Sequence, residues 1–122
     1  MGLTVRVEIF PSDLDATVDF YTRVLDFRLV RDERTSPDPY VALERDEVRV
    51  GAGQRPAVDP HHRRPPVGVE LVLEVDDVLA EREAVTTRGW PLDEDLQRQP
   101  WGLTDFRVLD PSGYLLRFTS RG

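Results

Sequence analysis

Apolar and polar positions alternate with a period of two at both ends of a repeating plan. Val5, Val7 and Ile9 alternate with Arg6, Glu8 and Phe10, which predicts a strand with one buried face. Ser12 or Asp13 is placed to cap a helix, and Leu14, Val18, Tyr21 and Leu25 form an apolar stripe at helical spacing. Residues 27–30 read as a second strand, and 40–43 with 48–51 as a hairpin turning at Arg45-Asp46. This makes one βαβββ unit.

The second half repeats the plan. Val69, Leu71, Leu73 and Val75 alternate with Glu70, Val72 and Glu74. Asp77 caps a second helix that Gly89 ends. A short strand is expected at 91–95, and further strands at 106–109 and 114–118, joined by an Asp110-Pro111-Ser112-Gly113 turn. Asp13 and Asp77 lie 64 residues apart, Tyr40 and Phe106 lie 66 apart, and that near-constant offset points to duplication. The expected organisation is α+β: a first module over about 1–54, a linker over about 55–66 and a second module over about 67–122. The linker carries four prolines, His61-His62 and Arg63-Arg64.

Composition narrows the chemistry. The chain has 122 residues, 39% hydrophobic and 32% charged, which suits one small globular domain. There is no cysteine and no lysine, so thiolate nucleophiles, disulfides, Cys-based zinc sites and Schiff-base lysines are excluded. A net charge of −7 argues against nonspecific nucleic-acid binding. No apolar run approaches the ~20 residues of a membrane span. No basic, apolar leader opens the chain, so a cytoplasmic location is expected. The two histidines sit in the Pro/Arg-rich linker, and Asp93-Glu94-Asp95 reads as a solvated acidic edge; neither reads as a metal site.

Trp101 stands apart. A large aromatic between Pro100 and Gly102, in a polar loop before a hairpin, has no evident core duty and suits a platform for a flat ligand. Trp90, Phe20, Phe27, Phe106 and Phe118 read more simply as core.

The stretch from Pro100-Trp101-Gly102 through the Asp-Pro-Ser-Gly turn to Phe118 resembles the last two strands of the vicinal oxygen chelate superfamily, in particular its bleomycin-resistance branch. Ser12-Asp13-Leu14, Phe20-Tyr21 and 24–27 resemble its opening. The resemblance implies two βαβββ modules forming a curved mixed sheet around a concave ligand cavity. It also implies a homodimer with ligand clefts at the interface. Metal-dependent members place His or Glu at four positions, which map to Arg6, Gly51, Glu70 and Arg117. Only Glu70 has a lone pair to give, so no metal and no cofactor are expected. If those positions converge as in the family, Arg6, Glu70 and Arg117 form an Arg–Glu–Arg cluster. The resemblance further implies that Trp101 and Tyr40 flank a planar group, with Phe10 and Glu8 also lining the cavity. The function that follows is binding and sequestration of an aromatic, DNA-damaging natural product of bleomycin, enediyne or quinone type. The alternatives are a metal-independent cyclase or isomerase using Glu70 or Glu8 as base, and a metal-dependent lyase or dioxygenase.

Overall fold

The computed structural model of the chain describes residues 2–59, 62 and 69–121. It divides into two compact units, Met1–Val58 and Asp59–Gly122. His61 and half of the proline-rich linker lie outside the described residues.

The first unit runs β1 (Val7–Ile9), α1 (Leu14–Asp19), a π-helical turn (Phe20–Val24), β2 (Arg28–Glu33), β3 (Tyr40–Arg45) and β4 (Val48–Gly53). Its sheet has the order β1-β4-β3-β2, with β1 parallel to β4 and the other pairs antiparallel. Asp13 caps α1, its carboxylate accepting from the Ala16 amide at 3.0 Å. Helix α1 packs on β3 and β4, and Ile9, Val41, Leu43, Val50 and Ala52 are buried on the strands. Strand alternation turns Glu8, Tyr40, Ala42 and Gly51 to the opposite face.

The second unit repeats this with β5 (Leu71–Val75), α2 (Val78–Thr87), β6 (Glu94–Arg98), β7 (Thr104–Leu109) and β8 (Leu115–Ser120), in the order β5-β8-β7-β6. Strand β5 is parallel to β8. Asp77 caps α2 in the same way, accepting from Ala80 at 3.0 Å. Gly89, at φ +84°, ends it in the left-handed region. Phe106 and Phe118 stack with centroids 5.1 Å apart on the helix side of the sheet. The Asp110 carboxylate accepts from the Ser112 and Tyr114 amides, both at 2.9 Å, and Gly113 closes the hairpin at φ +89°. The α+β class and the two βαβββ modules are as the periodicity implies.

Four local expectations are corrected. Strand β1 begins at Val7 rather than Val5, because only Val7, Glu8 and Ile9 find partners on β4, and Val5 is exposed. The α1 stripe is not Leu14-Val18-Tyr21-Leu25 alone. Thr17 in α1 and Phe20 and Val24 in the π turn are buried as well, while Val18 is half-buried. Strand β6 occupies Glu94–Arg98 instead of 91–95; Pro91 has no amide to pair, and pairing to β7 starts when the Asp93 amide donates to the Arg107 carbonyl at 2.8 Å. The first hairpin turns at Asp46-Glu47, one residue later than expected, with Asp46 at φ +51°.

Candidate functional site

In each unit the helix-free face of the sheet collects polar side chains. In the first unit Glu8 lies beside Gly51, and Gly51 lies beside Ala42 on β3. Two small residues leave room above the sheet, and Tyr40 uses it. Its phenol donates to the Glu8 carboxylate, at 3.0 Å from Oε1 and 3.2 Å from Oε2. Arg6 Nε donates to the same Oε1 at 2.8 Å. A side chain at Gly51 would collide with the Tyr40 hydroxyl and the Glu8 carboxylate, whose Cδ lies 2.7 Å from the position of an ideal Cβ. Burial, then the hydrogen bond to Glu8, holds the Tyr40 phenol above its ordinary pKa. Phe10 is 42% exposed, and the Arg55 guanidinium lies over its ring, 5.5 Å from the centroid.

The second unit holds a denser cluster. Arg107 on β7 and Arg117 on β8 are direct cross-strand neighbours. Like charges so placed repel, and acids beside them supply the compensation. Glu70, just before β5, sits against both: Oε1 is 3.3 Å from Arg117 Nη2 and Oε2 is 3.4 Å from Arg107 Nε. Glu94 reaches Arg107 at 3.5 Å. Asp105, 0% exposed, lies 3.6 Å from Arg117 Nη1 through Oδ2, and its Oδ1 accepts from the Gln99 side-chain Nε2 at 2.8 Å. Within the second unit Glu70 is thus flanked by the expected Arg117 and by Arg107, and within the first unit Arg6 pairs with Glu8.

Trp101 lies in the loop between β6 and β7 and is 59% exposed. The loop is closed by the Gln99 amide donating to the Leu103 carbonyl at 2.8 Å and the Gly102 amide donating to the Gln99 carbonyl at 2.9 Å. Gly102 takes φ +96°, which favours glycine there. The Arg117 guanidinium lies over the indole, 5.9 Å from the ring centroid. Trp90 is half-buried, and its Nε1 donates to the Leu109 carbonyl at 2.9 Å, a packing role.

Arg107, Asp105 and Gln99 do not stand out in the sequence, and Glu94 reads there only as part of a solvated acidic edge. The signal was present for two of them. Asp105 and Arg107 alternate with Phe106 and Val108, which places both on the face of Arg117. Glu94 joins that face by pairing with Arg107.

A divalent metal of the kind used elsewhere in the superfamily does not fit these residues. Glu70 is the sole candidate ligand at the four mapped positions, and its carboxylate is engaged by two guanidiniums. Among the described residues no group of three His, Cys, Asp or Glu side chains is arranged to hold an ion.

The model of the glyoxalase/bleomycin resistance protein/dioxygenase superfamily matches residues 4–118. The chain belongs to that superfamily. Its fold is similar to that of TioX from Micromonospora sp. ML1, at 26% identity, TM-score 0.76 and 98% coverage of both chains. It is likewise similar to the bleomycin resistance determinant encoded on the transposon Tn5, at 22% identity, TM-score 0.81 and 98% coverage of both. UcmS2 matches at 20% identity, TM-score 0.77 and the same coverage. No curated protein matches the chain. No helix among the described residues is long and apolar enough to cross a membrane.

Proposed function

We propose that this protein binds and sequesters a planar aromatic, DNA-damaging antibiotic of bleomycin, enediyne or quinone type, conferring resistance without converting it. It acts in the cytoplasm as a homodimer, and the residues assigned to ligand contact are Arg6, Glu8, Phe10, Tyr40 and Gly51 in the first unit and Glu70, Trp101 and Arg117 in the second. The observation that carries this reading is Trp101: an indole left more than half exposed on a tightly closed loop. Membership of the superfamily and similarity in fold to a bleomycin resistance determinant support it.

The energetics are adequate. Covering one face of the exposed indole removes on the order of 50–75 Å² from water, or about 1–2 kcal/mol. Stacking adds about 0.5–1.5 kcal/mol. Catalysis is the weaker reading, because both candidate bases already have partners. Glu70 faces two arginines, and Glu8 accepts from Tyr40 and Arg6.

A thermal-shift panel of bleomycin-, enediyne- and quinone-type compounds, followed by chromatography of the recovered compound, tests the proposal. A binder present at 100 times its Kd raises stability by about 2.7 kcal/mol, and the compound is expected back unchanged. A chemically altered compound, or no shift with any member, contradicts it.

A further inference from the structure

Asp105 poses a question that sequestration alone does not answer. Its carboxylate is fully buried, which is costly unless both oxygens are well partnered. Here Oδ1 has one hydrogen bond, from the Gln99 side-chain Nε2, and Oδ2 has none, facing Arg117 Nη1 at 3.6 Å. The register of β7 does not require an acid there, since Phe106 and Val108 supply its buried face. Both Asp105 contacts instead converge on Trp101. Gln99 is the residue whose backbone closes the Trp101 loop, and Arg117 is the residue whose guanidinium lies over the Trp101 ring.

We propose that Asp105 is a positioning residue, which fixes the Trp101 indole through Gln99 at the base of its loop and through Arg117 on one face of its ring. The inference rests on the reading of Trp101 as the ligand platform. It adds that the platform is set before the ligand arrives and is one-sided: Arg117 occupies one face, and the ligand stacks on the other. Holding one large side chain in its binding rotamer in advance is worth roughly three- to tenfold in affinity.

The test needs no ligand. In a Trp90→Phe background Trp101 is the sole indole, and its fluorescence anisotropy decay and acrylamide quenching report its freedom. Asp105→Asn is expected to raise both the amplitude of fast indole motion and the quenching constant. Gln99→Leu, which leaves the buried charge in place, is expected to do the same and serves if Asp105→Asn does not fold. Arg117→Lys keeps the charge but loses the planar group, and is expected to loosen the indole while circular dichroism stays native. Asp95→Asn, which breaks an exposed pair with Arg82 on the same unit, is the control and should change neither signal. Unaltered Trp101 mobility in folded Gln99→Leu and Arg117→Lys proteins overturns the proposal. Loss of the platform reading itself appears elsewhere, as unchanged antibiotic binding by Trp101→Ala.

Discussion

Gly51→Ala separates two opposed effects at one position. Gly51 lies within β4 and does not take positive φ, so on backbone grounds alanine is favoured there by about 0.5–1 kcal/mol. The space above it, however, is filled by the Tyr40 hydroxyl and the Glu8 carboxylate. Both are ends of flexible side chains, so the methyl group displaces them rather than the strand. What is lost is the Tyr40–Glu8 hydrogen bond, charge-assisted and about a third exposed on the Glu8 side. Such a bond contributes about 1.5–3 kcal/mol when buried, and the lower end applies here. With strain from displacing the ring, the cost outweighs the backbone gain, leaving a net loss of about 1–2 kcal/mol. For a domain of this size that lowers Tm by roughly 3–10 °C. The assay is thermal unfolding followed by circular dichroism, with the cycle completed by Tyr40→Phe. Phenylalanine removes the hydroxyl that the methyl meets, so Gly51→Ala should cost about 1 kcal/mol less in that background. A Gly51→Ala protein as stable as wild type, or costs that simply add, would show that the Tyr40–Glu8 pair does not depend on the missing side chain.

Other outcomes follow from single features. The Tyr40 pKa is raised on folding, so its contribution to stability is complete below the unfolded value near 10 and is lost as pH rises through the folded value; Tyr40→Phe should flatten that alkaline limb in a pH series of melts. Asp26 sits at φ +61°, so Asp26→Gly should raise stability by about 0.5–1 kcal/mol in urea unfolding, and a loss would mean the Asp26 side chain holds the helix end. Purified protein should carry no stoichiometric zinc, nickel, iron or manganese by elemental analysis, and a chelator should leave Tm unchanged; one tightly held ion per chain would contradict the ligand argument at Glu70.

The parts of the fold legible in the sequence are those that rest on local rules. Asp13 and Asp77 announce their helices because a short acid before an apolar stripe satisfies free amides, and the Asp110 turn reads directly for a similar reason. The π turn at Phe20–Val24 was not legible, because it answers to packing: Tyr21 meets Phe20 edge-on at 5.1 Å and Phe27 at 5.5 Å. Trp101 stood out by its neighbours Pro100 and Gly102. Arg117 was expected beside Glu70, but Arg107 was not, since its place next to Arg117 depends on cross-strand register, and register is set by pairing between distant segments. The alternation with Phe106 and Val108 puts Asp105 on the polar face of β7, but it gives no sign that Asp105 is fully buried against a cation.

The central claim is that Trp101 receives a planar antibiotic, and its most direct test is the change in dissociation constant on Trp101→Ala. The measurement is isothermal titration with whichever bleomycin-, enediyne- or quinone-type compound shifts the melt of the wild-type protein. Loss of one stacked indole face should weaken binding by about 1–3 kcal/mol, or roughly 5- to 150-fold, in a variant that remains folded. Wild-type affinity in a folded Trp101→Ala protein would contradict the claim.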